Sequence, residues 1–237
     1  MGALAEVLAR PDVWRGDRCA VAPLPSVPSG FGELDAELPG GGWPRGALTE
    51  LLLDGAGLGE LGLLMPALRA LRAEGGWSLV VGAPYPLHAP AWAAAGIDLA
   101  RMLVVSPAQP RDALWAAEQA LASGAPGAVL CWASKADARA VRRLQVAAAA
   151  GGAAAFLFRP QSAAREASVA PLRLELSAAP AGRLAISILK RRGPPCVAPL
   201  ELDLPRPASW REDHEHPVAG AVPAPTAPRS AFRPAWA

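Results

Sequence analysis

A glycine-rich turn at residues 54–61 has the spacing of a phosphate-binding loop but lacks the side chains that such a loop uses. In a working loop of this kind, a lysine reaches the outer phosphates and a serine or threonine hydroxyl binds magnesium. Glu60 and Leu61 stand at those two places, and a carboxylate repels a triphosphate. The sequence therefore predicts a degenerate loop that keeps its shape without its phosphate chemistry. Its residues are Asp54, Gly55, Gly57, Gly59, Glu60 and Leu61.

The elements that would hold this loop alternate along residues 29–204. Near-continuous apolar runs predict strands buried on both faces of a parallel sheet, and amphipathic segments between them predict helices. The predicted strands are 48–53, 77–82, 102–105, 128–132 and 153–158, and the predicted helices are 59–72, 89–96, 112–123 and 137–150. Two alternating runs, 172–176 and 184–189, predict an antiparallel hairpin at the sheet edge. The predicted fold class is α/β, with three layers around a mostly parallel sheet.

Bulk composition argues against several classes of protein. The chain has 237 residues, 52% of them hydrophobic, and its net charge of +2 gives no strong attraction to nucleic acid or membranes. Cys19, Cys131 and Cys196 are far apart and odd in number, so they predict reduced thiols rather than disulfides or a zinc site. We find no targeting segment and no run of ~18 apolar residues that could span a bilayer. The sequence therefore predicts a cytoplasmic protein.

Composition also divides the chain into three regions. Residues 1–28 carry a short amphipathic pattern and a Pro-rich linker, and residues 29–204 form the predicted α/β domain. Residues 205–237 hold seven prolines among scattered charges, a composition that predicts disorder. The amphipathic pattern predicts docking, either on a partner or on this chain's own core. Its residues are Leu4, Val7, Leu8 and Trp14.

Several segments of the predicted domain resemble the core of RecA-type recombinases, which is a P-loop NTPase-type core. The likeness runs through residues 29–42, 44–50, 96–107, 113–131 and 184–192. A set of shorter motifs resembles more closely the ImuA family of bacterial SOS-response proteins, which is associated with translesion synthesis. These motifs are Val13–Gly16, Leu38–Gly46, Trp115–Ala120, Phe156–Pro160 and Leu189–Arg192.

The ImuA resemblance implies a non-catalytic, RecA-like adaptor in mutagenic bypass of DNA lesions. It implies three protein partners, namely a Y-family-like polymerase protein, an error-prone replicative-type polymerase and RecA, with DNA contacted only weakly or indirectly. The place of the RecA catalytic glutamate falls near Pro84, and that of the Walker B carboxylate falls at Trp132. Both carboxylates are thus missing together with the loop lysine, so we expect no enzyme activity, no cofactor and no metal site. Weak nucleotide binding by backbone N–H groups at a helix N-terminus stays open.

A basic cluster late in the chain is a candidate contact surface. It comprises Lys190, Arg191 and Arg192, with Arg159 as a further member. In RecA-type filaments the similar cluster faces the neighbouring subunit's nucleotide. Three interpretations stay open here: a solvated strand end, a surface for a partner protein, and contact with nucleic-acid phosphates.

Two other functions stay open beside the adaptor. One is a cell-division inhibitor that resembles SulA, which shares a degenerate RecA-like core and binds the tubulin-like division protein. The other is an active RecA-type ATPase, for which the sequence offers shape but no catalytic residues. The chain length, Gly40-Gly41-Gly42 and Lys190–Arg192 favour the adaptor.

Overall fold

An eight-stranded mixed sheet forms the centre of the computed structural model, which describes residues 25–55, 57–196 and 198–204. A separate two-stranded sheet pairs Ser26–Val27 (β1) with Trp43–Pro44 (β2). The large sheet contains Ala47–Leu53 (β3), Trp77–Val81 (β4), Met102–Val105 (β5), Pro126–Trp132 (β6), Ala154–Pro160 (β7), Leu172–Ala178 (β8), Leu184–Lys190 (β9) and Leu200–Leu202 (β10). Its strand order is β10-β9-β8-β3-β7-β6-β4-β5.

Six neighbouring strands of the large sheet, from β8 to β5, run parallel. Strand β9 pairs antiparallel with β8, and β10 pairs antiparallel with β9. Parallel neighbours require crossover connections, and helices provide four of them. The helices are Gly32–Glu37 (α1), Glu60–Ala73 (α2), Ala89–Ala94 (α3), Pro110–Ser123 (α4) and Ala138–Gly151 (α5). Short 3₁₀ helices lie at Leu99–Arg101, Gln161–Arg165 and Pro180–Gly182.

The sheet is covered by helices on both faces. Helices α2 and α3 pack on one face in a cluster that includes Val80, Phe156 and Phe158. Helices α4 and α5 pack on the other face over Leu79 and Val81. Because side chains alternate along a strand, consecutive residues of β4 serve opposite faces, and burial on both sides requires a near-continuous apolar run.

The predicted α/β class, the mostly parallel sheet and the antiparallel hairpin are confirmed. The predicted strands and helices occur at their expected places, with ends that differ by a few residues. The hairpin β8–β9 does not itself end the sheet, because β10 adds a further strand outside it. The sequence did not predict β10, α1 or the small β1–β2 sheet, which are two to six residues long and too short for a periodic signal.

Two predictions lie outside the described residues. They are the docking of Leu4, Val7, Leu8 and Trp14, and disorder in residues 205–237. Within the described part of the chain, we find no helix with the length and apolar character needed to cross a bilayer.

Candidate functional site

The degenerate loop joins β3 to α2, and its own carboxylate lies inside it. Glu60 is the first residue of α2 and is only 5% exposed. Its Oε1 accepts a hydrogen bond from the backbone N–H of Gly57 at 3.2 Å. An anion at a helix N-terminus is stabilised by the helix dipole and by free N–H groups. Glu60 thus supplies from within the chain the negative charge that a phosphate would bring to this position.

An apolar side chain covers the same loop. Gly59 lies in the left-handed region, with φ of 97°, and a β-carbon there would lie 2.5 Å from Cδ1 of Leu204. Leu58 and Leu61 are partly buried against the same core cluster as Leu204. The N-terminus of α2 is therefore filled by a buried carboxylate and lies against leucine side chains.

Aromatic rings occupy the place expected for the magnesium-binding carboxylate. Trp132 ends β6, is 5% exposed and stacks on Phe158 of β7, with ring centroids 4.0 Å apart and planes 5° apart. Pro84 follows β4 in a turn and has no side-chain group that could activate water. Neither position can supply the carboxylate that phosphoryl transfer requires. The described residues also contain no group of three or more His, Cys, Asp or Glu side chains placed to hold a metal ion.

A buried ionic network crosses three strands on the α5 side of the sheet. Glu50 of β3 is fully buried, and its two oxygens accept hydrogen bonds from Arg159 Nη1 at 3.0 Å and Arg173 Nε at 2.5 Å. Arg159 Nη2 also donates to the carbonyl of Ala136 at 2.8 Å and to Glu166 Oε2 at 2.6 Å. The network therefore links β3, β7 and β8 to the loop that precedes α5.

This network separates Arg159 from the basic cluster with which the sequence grouped it. Arg159 is 4% exposed, and its guanidinium points to Glu50 rather than to a partner's surface. Arg191 is also occupied, because its Nη1 donates to the carbonyl and the carboxylate of Glu37. Lys190 and Arg192 are exposed, and Lys190 Nζ donates to the carbonyl of Ser168 at 2.8 Å. The structure therefore leaves Lys190 and Arg192 as the accessible members of that cluster.

A second basic surface, which the sequence reasoning missed, lies on α4, α5 and the loop before α5. We call it the basic face. Its charged members are Arg111, Lys135, Arg139, Arg142 and Arg143, and its apolar members are Trp115 and Val146. Trp115 is 63% exposed and Val146 is 61% exposed. On a helix, residues 139, 142 and 146 share one side, so this spacing was a signal within the sequence.

A cleft of 380 Å³ opens where α4 and α5 begin. Arg111, Lys135, Asp137 and Arg143 line it. Asp137 caps α5, because its side chain accepts a hydrogen bond from the N–H of Ala140 at 2.7 Å. Both helices direct their N-termini, with their partial positive charge, toward the carboxyl edge of the sheet. The cleft is therefore electropositive and open, whereas the N-terminus of α2 is filled by the carboxylate of Glu60.

The sheet and the loop before α2 together define the class of protein. The chain is an α/β protein with a mostly parallel mixed sheet, in which the helix end after β3 is filled by the chain's own side chains. In sequence, residues 46–155 match the family model described as "Cell division inhibitor SulA". The chain is 33% identical over 115 residues to a cell division inhibitor SulA from Photorhabdus laumondii, and 32% identical over 109 residues to one from Edwardsiella piscicida.

The similarity covers part of each protein. It spans 48% and 46% of this chain, and 64% and 65% of the two relatives, which is just under two thirds of their length. The matched residues 46–155 include the closed loop and all of α4 and α5, but not β8, β9 or Lys190–Arg192.

These matches overturn the ImuA interpretation. The expected family, the role as an adaptor in translesion synthesis, and the polymerase and RecA partners were wrong, because the sequence is similar to cell division inhibitors instead. The motifs used for that interpretation include Phe156–Pro160, which is a buried strand in the structure. Such a motif is dictated by the core of the fold and carries little information about family.

Proposed function

We propose that this chain inhibits cell division by binding a protein of the division machinery. The resemblance to SulA implies that this partner is the tubulin-like division protein. The observation that carries the proposal is the similarity of residues 46–155 to cell division inhibitor SulA. The two relatives at 33% and 32% identity support it.

The chemistry of the site favours inhibition by binding rather than by catalysis. We propose a P-loop-type core of RecA-like shape that has lost its phosphate chemistry. Glu60 and Leu204 close the loop, and Trp132 occupies the place of a metal-binding carboxylate. The places expected for the phosphate-binding lysine and for the two carboxylates hold Glu60, Pro84 and Trp132 among the described residues. We therefore propose a cytoplasmic binding protein that works without a cofactor.

We further propose that residues 29–204 form the functional domain. The contact surface would lie mainly within the matched residues, with Lys190 and Arg192 as an additional exposed cationic site. The docking of residues 4–14 on a partner or on the chain's own core stays a prediction.

The direct experiment measures division and polymerisation with the full chain. Induced expression in the source bacterium should produce filamentous cells within a few generations. The purified chain should lower the sedimentable fraction of the tubulin-like division protein from the same bacterium, in proportion to its concentration. A heat-denatured sample of equal concentration is the control for non-specific effects. Normal cell length together with unchanged sedimentation would reject the proposed function.

A further inference from the structure

The basic face has more positive charge than its neighbouring carboxylates neutralise. Arg143 Nε donates to Glu118 Oε2 at 2.9 Å, and Arg111 Nε lies 3.7 Å from Asp112 Oδ1. Among the described residues, we find no ion pair within 4.0 Å for Lys135, Arg139 or Arg142.

A carboxylate that lines the cleft beside Lys135 is already engaged. Asp137 caps the first turn of α5 through the N–H of Ala140. Its negative charge is therefore directed at the helix end. Lys135, Arg139 and Arg142 consequently present a local excess of positive charge in a protein whose net charge is only +2.

The apolar members of the face lie beside these cations. Trp115 stands four residues after Arg111 on α4, and Val146 stands four residues after Arg142 on α5, so each shares a helix side with a cation. An exposed tryptophan among arginines is characteristic of the energetic centres of protein–protein interfaces.

We infer that the basic face binds an acidic segment of the division protein, with Trp115 and Val146 packing against apolar side chains of that segment. The inference rests on the proposed function and names the surface that performs it. Carboxylates of the segment would enter the cleft between Arg111 and Lys135, where the N-termini of α4 and α5 add favourable electrostatic potential. The whole face lies within the residues that match the inhibitor family.

A protein segment fits this surface better than a nucleic acid does. Glu118, Asp112 and Asp137 lie among the cations and would repel a continuous line of phosphates. A nucleic-acid surface would also require a broader excess of positive charge than a chain of net charge +2 provides.

The test compares two double variants of the full chain that change net charge equally. Arg139→Glu/Arg142→Glu reverses two cations of the basic face, and Arg69→Glu/Arg165→Glu reverses two exposed cations elsewhere. Binding to the purified division protein is measured by fluorescence titration at three salt concentrations. Far-UV circular dichroism and thermal unfolding of both variants check that the fold is retained.

We expect the basic-face variant to weaken binding at least ~30-fold and to lose most of its salt dependence. The matched variant should change affinity less than ~3-fold. Trp115→Ala should weaken binding ~10-fold without changing the salt dependence, because it removes apolar contact rather than charge.

Three other outcomes would reject the proposed function, the inference or both. Absence of binding by the unaltered chain rejects the proposed function and this inference together. Binding by the unaltered chain with equal affinities for both double variants rejects the inference alone. A fluorescent 20-nucleotide single-stranded DNA is titrated in parallel. Loss of DNA binding in the basic-face variant, with unchanged affinity for the division protein, would assign the face to nucleic acid and overturn the inference.

Discussion

The N-terminus of α2 and those of α4 and α5 lie at the same edge of the sheet but are built in opposite ways. All three helices follow parallel strands, so each directs free N–H groups toward the carboxyl edge. At α2 the buried carboxylate of Glu60 lies in the first turn, and Leu204 lies against the glycine that precedes it. At α4 and α5 the potential of the helix ends is reinforced by Arg111 and Lys135 and remains accessible. The common fold therefore offers several electropositive ends, and individual side chains decide which of them meets a partner.

The largest effect on stability should come from the buried ionic network around Glu50. Glu50→Gln removes the carboxylate between Arg159 and Arg173, both of which remain buried. We expect the free energy of unfolding to fall by about 3–5 kcal/mol, measured by urea denaturation, because two buried cations lose their shared counterion. Glu118→Gln, which breaks the more exposed pair with Arg143, should cost less than about 1 kcal/mol. Equal losses in the two variants would contradict the view that the buried network contributes more to stability than the exposed ion pair does.

The buried thiol of Cys131 reports whether α4 stays packed on the sheet, because it lies against Ala113 of that helix. Burial raises the pKa of Cys131 from 9.0 to about 12. At pH 8 the thiolate fraction should therefore be roughly a thousandfold lower than that of an ordinary cysteine. We expect a thiol reagent to modify Cys131 far more slowly than Cys196, because Cys131 is buried and Cys196 is partly exposed. The measurement uses single-cysteine variants, and comparable rates would mean that α4 opens readily from the sheet.

The same thiol predicts the direction of a pH dependence. Its folded-state pKa lies above its unfolded value, so the stabilising contribution is complete below pH 9.0 and is lost as the pH rises toward about 12. Cys131→Ala should remove that part of the alkaline loss of stability in a urea titration.

The packing of Leu204 at the start of α2 can be tested at Gly59 and Gly62, which both lie next to it. Gly59→Ala places a β-carbon at φ of 97° and 2.5 Å from Leu204 Cδ1, so we expect a loss of about 1–3 kcal/mol in the free energy of unfolding. Gly62→Ala places its β-carbon 3.7 Å from the same atom, within an ordinary helix. That change should stabilise the protein by about 0.5–1 kcal/mol. Changes of the same sign in thermal unfolding would contradict the left-handed conformation and the close contact described for Gly59.

The smallest expected effect is on ATP hydrolysis, when a lysine is placed where a phosphate-binding loop would carry one. Glu60→Lys removes the internal anion and supplies a phosphate-binding side chain. It leaves Trp132 and Pro84 where phosphoryl transfer needs carboxylates. We therefore expect no ATP hydrolysis above the rate of the unaltered chain in a phosphate-release assay. Measurable turnover would mean that the closed loop, and not the missing carboxylates, is what prevents catalysis.

Local patterns predicted the elements of this fold well. The strand Met102–Val105 was predicted with its observed ends, and Gly124 follows α4 in the left-handed conformation, with φ of 66°, that a helix end commonly requires. These features depend on neighbouring residues, so the sequence contains them directly.

Contacts between distant residues could not be predicted in the same way. Glu50 lies within an apolar run, and its partners Arg159 and Arg173 stand 109 and 123 residues later. Their meeting depends on β3 lying between β7 and β8, and an alternation of strands and helices does not specify that order. The basic face was missed for a related reason, because it combines side chains from two helices and a loop.

The position of β3 also has a consequence for synthesis of the protein. A ribosome completes this apolar strand, which ends at Leu53, well before its two neighbours, because β7 and β8 end only at Pro160 and Ala178. Meanwhile β4, β5 and β6 can pair with one another as they emerge. The nascent chain must therefore keep an unpaired hydrophobic strand from aggregating until β7 has been made, so the centre of the sheet is completed after the edge formed by β4, β5 and β6.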